Sequence, residues 1–151
     1  MDERDETPAQ RHDRNWNEIL QELRVAQTGT QILSGFLLAI AFQQRFTSLS
    51  GSQLAFYLAL VVLAGLSTAV GLTPVVLHRT FFAKHMKEHV VVVGNRLLLA
   101  EILLVGLLAI GVTSFIVDVV VGDVAGVAAA VIATLVVLIL WVLLPQLRRR
   151  D

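Results

Sequence analysis

Residues 54–77 read LAFYLALVVLAGLSTAVGLTPVVL, a run of 24 residues without one charged side chain. An α-helix rises about 1.5 Å per residue, so about 20 apolar residues cross the hydrocarbon core of a membrane. Working outward from this run, we predict four spans, over residues 25–44, 54–77, 92–117 and 124–144. A spanning segment must satisfy its backbone internally, so each is predicted to be helical. The predicted fold is all-α, a four-helix transmembrane bundle with an N-terminal amphipathic helical extension.

The composition excludes several classes of protein. Hydrophobic residues make up 56% of the chain and charged residues 16%, against roughly 45–50% and about 25% in soluble domains. The chain has no cysteine and therefore no disulfide or cysteine metal site. It also lacks the usual nucleotide and zinc motifs, so we predict no enzyme activity, no catalytic residue, no metal and no cofactor. The basic residues are too few and too scattered for a nucleic-acid surface.

The charged residues divide the chain into three predicted parts. These are a disordered cytoplasmic tail over residues 1–12, a single transmembrane domain over residues 13–147 and a basic C-terminal tail over residues 148–151. Lysine and arginine are concentrated at both ends of the chain and between the second and third spans, and cytoplasmic loops carry such an excess. We therefore predict a multi-pass protein of the cytoplasmic (inner) membrane with both termini in the cytoplasm.

The N-terminal extension is predicted to begin with Asp13 as its N-cap and to lead into the first span, either after a bend or as one helix. Polar and small residues then recur at intervals of four and three, which places them on one helix face. Because an unpaired amide is costly in hydrocarbon, this face should meet another helix, a second protomer or water. Two interpretations follow: the polar face forms hydrogen bonds to another helix, or it lines an aqueous or ion-binding cavity. The polar stripe comprises Asn17, Gln21, Arg24, Thr28, Gln31 and Gly35.

Polar residues of the first three spans are predicted to gather at one depth, in the cytoplasmic third of the membrane. Glu101 is the deepest carboxyl group of the chain, and we expect it either to have a partner or to be protonated. The candidates are arginines, a histidine and two glutamine amides of the same cluster. The full predicted cluster comprises Glu22, Arg24, Gln27, Thr28, Gln31, His78, Arg79, Asn95, Arg96 and Glu101.

Small residues at the start of the fourth span indicate helix packing. Gly122, Gly126 and Ala130 have the four-residue spacing at which membrane helices approach closely. The spacing predicts either packing within the bundle or a contact between two copies. We expect a homo-oligomer.

The N-terminal motif also carries a family resemblance. The run DRNWNE at 13–18, followed by QELRV at 21–25, QTG at 27–29 and QIL at 31–33, resembles the opening of an uncharacterised bacterial family of small four-helix membrane proteins. The pairs His78-Arg79 and Asn95-Arg96 are similar to further polar positions of that family. Such proteins are sometimes labelled automatically as sodium:proton antiporters. This chain departs from antiporters in having no midplane aspartate pair and no inverted repeat of broken helices.

Two functions from different classes follow. The first is a cation- or proton-handling membrane protein whose cytoplasmic-side polar vestibule uses Glu101, Gln31, Arg24 and His78. The second is a non-enzymatic membrane accessory or scaffold protein that binds a partner or anionic lipid through its N-terminal amphipathic segment. The expected partners are the lipid bilayer, further copies of the chain, anionic lipid headgroups, and a monovalent cation or proton.

Overall fold

A computed structural model describes residues 7–81 and 87–148 of the chain. Four long helices and no strand occur in these ranges, which confirms the predicted all-α class. The fourth helix continues through a π-helical turn into a short last helix. The elements are α1 (Pro8–Ile40), a 3-10 turn (Gln44–Ser48), α2 (Gly51–Phe81), α3 (Lys87–Val121), α4 (Asp123–Leu138), the π-helical turn (Ile139–Leu143) and α5 (Leu144–Arg148).

Three helical stretches of the described chain are long and apolar enough to cross a membrane. They are Gly51–Thr80, Val91–Val121 and Asp123–Arg148, and they overlap the second, third and fourth predicted spans. These three stretches indicate a membrane protein. The first predicted span, over residues 25–44, is not among them. Crossing by α1 therefore stays a prediction, as do the cytoplasmic placement of both termini and the inner membrane.

Helix α1 begins earlier than the sequence pattern predicts. The backbone N–H of Gln10 donates to Thr7 Oγ1 at 3.4 Å, and Thr7 N–H donates to Gln10 Oε1 at 2.9 Å. This reciprocal arrangement is a capping box, and Pro8 follows it at the first helical position. The prediction of Asp13 as the N-cap is wrong, because the helix already runs through that residue. The same continuous helix contains both the amphipathic extension and the first 16 residues of the predicted span, ending at Ile40.

The chain divides into two compact units. The first comprises the described residues of Met1–Ile32 and Gly65–Val105, and its apolar core is formed by Ile19, Leu23 and Leu98. Each of the three long helices α1, α2 and α3 contributes one segment to this unit. It contains most of the polar residues singled out above.

The second unit comprises Leu33–Ala64 and the described residues of Gly106–Asp151. Its buried core is aliphatic and aromatic, with Phe115 of α3 packed against Tyr57 at a ring-centroid distance of 5.9 Å and against Phe56 at 6.1 Å. The Tyr57 hydroxyl donates a hydrogen bond to the backbone oxygen of Leu37 at 3.0 Å. The buried core residues are Leu37, Tyr57, Leu60, Ala64, Leu108, Val112 and Phe115.

The predicted packing glycines have different roles in this unit. Gly122 forms the turn between α3 and α4, where its φ of 126° is one that residues with a Cβ rarely adopt. Gly126 packs within the chain, because a Cβ there would lie 3.0 Å from Asp118 Cα on α3. Its backbone oxygen also accepts a hydrogen bond from Ser114 Oγ at 2.9 Å. Ala130 is half-buried on α4.

Candidate functional site

The first unit buries a carboxyl group, that of Glu101 on α3, which is 0% exposed. Its Oε1 accepts three hydrogen bonds, from Gln27 Nε2 at 3.2 Å, Thr30 Oγ1 at 3.1 Å and Ser67 Oγ at 3.0 Å. Its Oε2 is also buried and has no hydrogen-bond partner among the described residues. We call these four side chains the Glu101 site. Oε1 therefore has three hydrogen-bond donors and Oε2 has none among the described residues; we call Oε2 the bare oxygen.

The helices position the donors of this site by simple periodicity. Gln27 and Thr30 are three residues apart on α1, on the face that also buries Trp16, Ile19 and Leu23. Ser67 of α2 completes the site, and its Oγ lies 3.1 Å from Thr30 Oγ1. One turn further along α2, Gly71 contacts the Gln27 side chain so closely that an added Cβ would overlap the amide. The absence of a side chain at Gly71 therefore makes the room that Gln27 occupies.

The predicted partners of Glu101 are only partly correct. Gln27 binds it, but Gln31 is exposed, as are Arg24 and Arg79. His78 instead stacks on the Trp16 ring, with centroids 5.2 Å apart and planes inclined by 11°. Among the described residues, Glu101 has no ion pair. Its surroundings are neutral hydrogen-bond donors and not cations.

Most of the predicted polar cluster does not converge on Glu101. A side-chain hydrogen bond joins Gln27 to Glu101, and Glu22, Asn95 and Arg96 line a separate groove between α1 and α3. Thr28 is bound locally, since its Oγ1 donates to the backbone oxygen of Arg24 at 2.8 Å. The members that lie exposed on the surface of the chain are Glu22, Arg24, Thr28, Gln31, Arg79, Asn95 and Arg96.

Sequence reasoning missed the two hydroxyl groups of the site, Thr30 and Ser67. A signal for Thr30 was present, because the spacing of Trp16, Ile19 and Leu23 leads along one face to positions 27 and 30. The predicted stripe followed positions 28 and 31 instead, one residue away. Ser67 had no comparable signal, since it and the adjacent Thr68 stand alone in an otherwise apolar stretch and show no helical periodicity with other polar residues.

A second polar feature of the first unit is a groove of about 470 Å³ between α1 and α3. Its lining includes acidic, basic, amide and apolar side chains from the two helices. The side chains of Glu22, Asn95 and Arg96 make no hydrogen bond or ion pair with the described residues. We call it the mixed-charge groove; it is lined by Asn15, Glu18, Ile19, Glu22, Val91, Val92, Asn95 and Arg96.

Comparison with known proteins gives a family but no activity. The model of a family of unknown function, DUF6328, matches residues 5–145 of the chain. This match confirms the expected resemblance to an uncharacterised family and covers every residue of the Glu101 site. No curated protein and no solved structure matches the chain. The chemistry of the site is therefore the only guide to function.

Proposed function

The chain belongs to DUF6328, and we propose that it is a membrane protein that binds and releases a proton or a monovalent cation at Glu101. One observation carries this proposal, the unequal use of the two oxygens of a buried carboxyl group. Oε1 accepts three hydrogen bonds, whereas Oε2 is buried without a hydrogen-bond partner among the described residues.

A negative charge on a fully buried side chain needs a positive charge beside it, because removing an isolated carboxylate from water is very costly. The described residues do not supply that charge. Arg24 and Arg79 are exposed, and Glu101 forms no ion pair within the described ranges. A proton or an ion bound at the bare oxygen Oε2 would supply it.

The donor set favours a ligand with a single positive charge. One carboxylate balances one such charge, whereas divalent cations usually bind at sites with more acidic ligands. The described residues contain no group of three His, Cys, Asp or Glu that could hold a metal ion. The hydroxyls of Thr30 and Ser67 can accept as well as donate, so they can turn a lone pair toward a cation. Together with Glu101 they form an all-oxygen set, which hard cations prefer.

The described part of the second unit does not extend this chemistry. The hydroxyls of its buried side chains Tyr57 and Ser114 each donate to a backbone oxygen, and the buried Oγ of Ser34 has no hydrogen-bond partner among the described residues. None of these three groups is charged. An ion that passes through a membrane protein needs polar groups or water along its way. We therefore assign binding and release to Glu101 and assign no path across the membrane.

The test compares Glu101→Gln with Asp118→Asn, a matched control on the same helix. Both variants replace a carboxylate by an amide of similar size, but Asp118 already accepts a hydrogen bond from Gln53 Nε2 at 3.2 Å. The melting temperature of each purified protein in lipid nanodiscs is measured against pH and against NaCl and KCl. A ligand that binds only the folded state raises this temperature by mass action.

We expect the native chain and Asp118→Asn to share a dependence of the melting temperature on protons, Na⁺ or K⁺ that is missing in Glu101→Gln. A dependence that survives fully in Glu101→Gln contradicts the proposal. So does a native chain whose melting temperature is the same under all of these conditions.

The mixed-charge groove favours a second candidate function, binding of a lipid headgroup by an accessory protein. Arg96 can bind a phosphate, while Glu18 and Glu22 on the opposite wall can bind an ammonium group. Val91, which lines the groove, is the first residue of a stretch able to span a membrane, so the groove would lie at headgroup depth. The headgroup that fits is one with both charges, as in phosphatidylethanolamine.

Native mass spectrometry tests this second function. Arg96→Gln should lower the retention of phosphatidylethanolamine, whereas Arg79→Gln, at an exposed arginine that does not line the groove, should not. Equal retention by both variants and the native chain would exclude the groove as a headgroup site.

A further inference from the structure

The polar stripe of α1 is uncovered in the single chain. All six of its residues are exposed, whereas the neighbouring face of the same helix buries Leu23 and Thr30. No hydrogen bond links the Gln31 amide to a described residue, and Gly35 has no atom within 4 Å of the position of a Cβ. The stripe comprises Asn17, Gln21, Arg24, Thr28, Gln31 and Gly35.

The contacts of Thr30 place part of this stripe at membrane depth. Thr30 Oγ1 lies 3.1 Å from Ser67 Oγ and 3.1 Å from Glu101 Oε1. Ser67 and Glu101 both lie within stretches able to cross a membrane, Gly51–Thr80 and Val91–Val121. Gln31 is the next residue of α1, so its exposed amide sits at the same level. Hydrocarbon offers such an amide no hydrogen-bond partner, and so another protein surface should cover it.

We propose that a second copy of this chain covers the stripe and that two α1 helices pack face to face. Two copies inserted in the same direction are related by a rotation about the membrane normal, so each residue meets its equivalent at the same depth. A glutamine amide both donates and accepts, so two Gln31 side chains satisfy each other. Gly35 has no side chain and allows the two backbones to approach closely.

The spacing of the stripe supports the same occupant. Intervals of four, three, four, three and four residues are those of the seam along which two helices coil around each other. Arg24 is the one charged residue of the seam, two turns before Gln31 and toward the polar N-terminal end of α1. Long arginine side chains at a membrane edge extend to the headgroup phosphates, which keeps two equivalent charges apart. The contact does not involve the carboxyl group of Glu101 and is independent of the proposed ligand.

Single cysteines test the contact, because the native chain contains none. Gln31→Cys is compared with Leu103→Cys, a position that is 64% exposed on α3 and two residues from Glu101. Each purified variant is reconstituted in liposomes at low protein density and oxidised. We expect Gln31→Cys to form at least about five times as much disulfide-linked dimer as Leu103→Cys, because a specific helix contact holds the two copies of position 31 together. Equal cross-linking of the two variants would overturn it, and would point to a different protein or to lipid as the neighbour of α1.

A second measurement does not depend on cysteine. Gln31→Leu should weaken dimerisation in lipid roughly three- to tenfold, as measured by energy transfer between labelled copies, because it removes the amide pair. Ile32→Leu is the matched control, since Ile32 is the next residue and is 68% exposed. An unchanged dimer in Gln31→Leu contradicts the proposal. Glu101→Gln should dimerise normally, so failure of the ligand site and failure of this contact are distinguishable.

Discussion

Both units contain segments of α1, α2 and α3, and the second also contains α4 and α5, yet they satisfy their buried polar atoms differently. In the second unit the hydroxyls of Tyr57 and Ser114 donate to the backbone oxygens of Leu37 and Gly126. The buried Oγ of Ser34 has no hydrogen-bond partner among the described residues, but it carries no charge. In the first unit, three side chains converge on one oxygen of Glu101 and leave the other without a described partner. The bonded hydroxyls of the second unit are neutral and have hydrogen-bond partners, whereas the first unit buries a carboxyl group with one oxygen that no described residue binds.

We infer from this difference that ligand binding depends on the first unit and that the second unit contributes mainly to stability. A neutral hydroxyl that donates to a backbone oxygen in an apolar core fixes the packing and carries no charge that would attract a proton or cation. A buried carboxyl group with an unbonded oxygen can carry such a charge. Substitutions in the second unit should therefore change stability without changing any response to protons or cations, and substitutions around Glu101 should change that response.

The largest effect on stability is expected from Phe115→Ala in the second unit. Phe115 is 1% exposed and contacts both Phe56 and Tyr57, so its removal leaves a cavity. We expect a loss of about 2–3 kcal/mol, below the ~3–5 kcal/mol typical of soluble cores, because the unfolded side chain enters lipid and not water. Titration with a denaturing detergent measures this loss. If Phe115→Ala also removes the dependence of the melting temperature on protons, Na⁺ or K⁺, the proposed difference between the units is wrong.

A smaller effect is expected from Gly94→Ala in the first unit. A Cβ at Gly94 would lie 2.7 Å from Cζ3 of Trp16, whose ring is also stacked on His78. Since the buried ring must shift, the variant should lose about 1–2 kcal/mol in the same detergent titration. Gly65→Ala is the matched control, because no atom lies within 4 Å of a Cβ there. Equal stability of the two variants would show that Trp16 is not held tightly.

The smallest effect on stability is expected from removing single hydroxyl groups. These variants also distinguish the two units most clearly. Thr30→Val and Ser67→Ala each remove one donor to Glu101, and Ser114→Ala removes one donor in the second unit. Each should lose about 1 kcal/mol of unfolding free energy. The first two should also shift the proton or cation concentration at which the melting temperature changes, and Ser114→Ala should not. A shift in all three variants, or in none, would remove the distinction between the units.

The sequence predicts the helices of this chain far better than it predicts their buried faces. Long, mostly apolar runs give α2, α3 and α4, because a membrane span depends on length and apolarity. They do not tell which face of a span is inside, since the outer face of a membrane helix is as apolar as the inner one. Gln27 and Glu101 were predicted as part of one cluster, but Thr30 and Ser67 were not, and Gln31 was placed with them although it is exposed.

Infrared spectroscopy measures directly whether the carboxyl group of Glu101 binds a proton or a monovalent cation. Difference spectra of the reconstituted protein are recorded on changing pH, Na⁺ or K⁺, for the native chain, Glu101→Gln and Asp118→Asn. The account predicts a carboxyl band that changes on loading the site, is absent in Glu101→Gln and persists in Asp118→Asn. A Glu101 signal that stays the same under every condition would contradict it, because the bare oxygen would then bind neither a proton nor a cation.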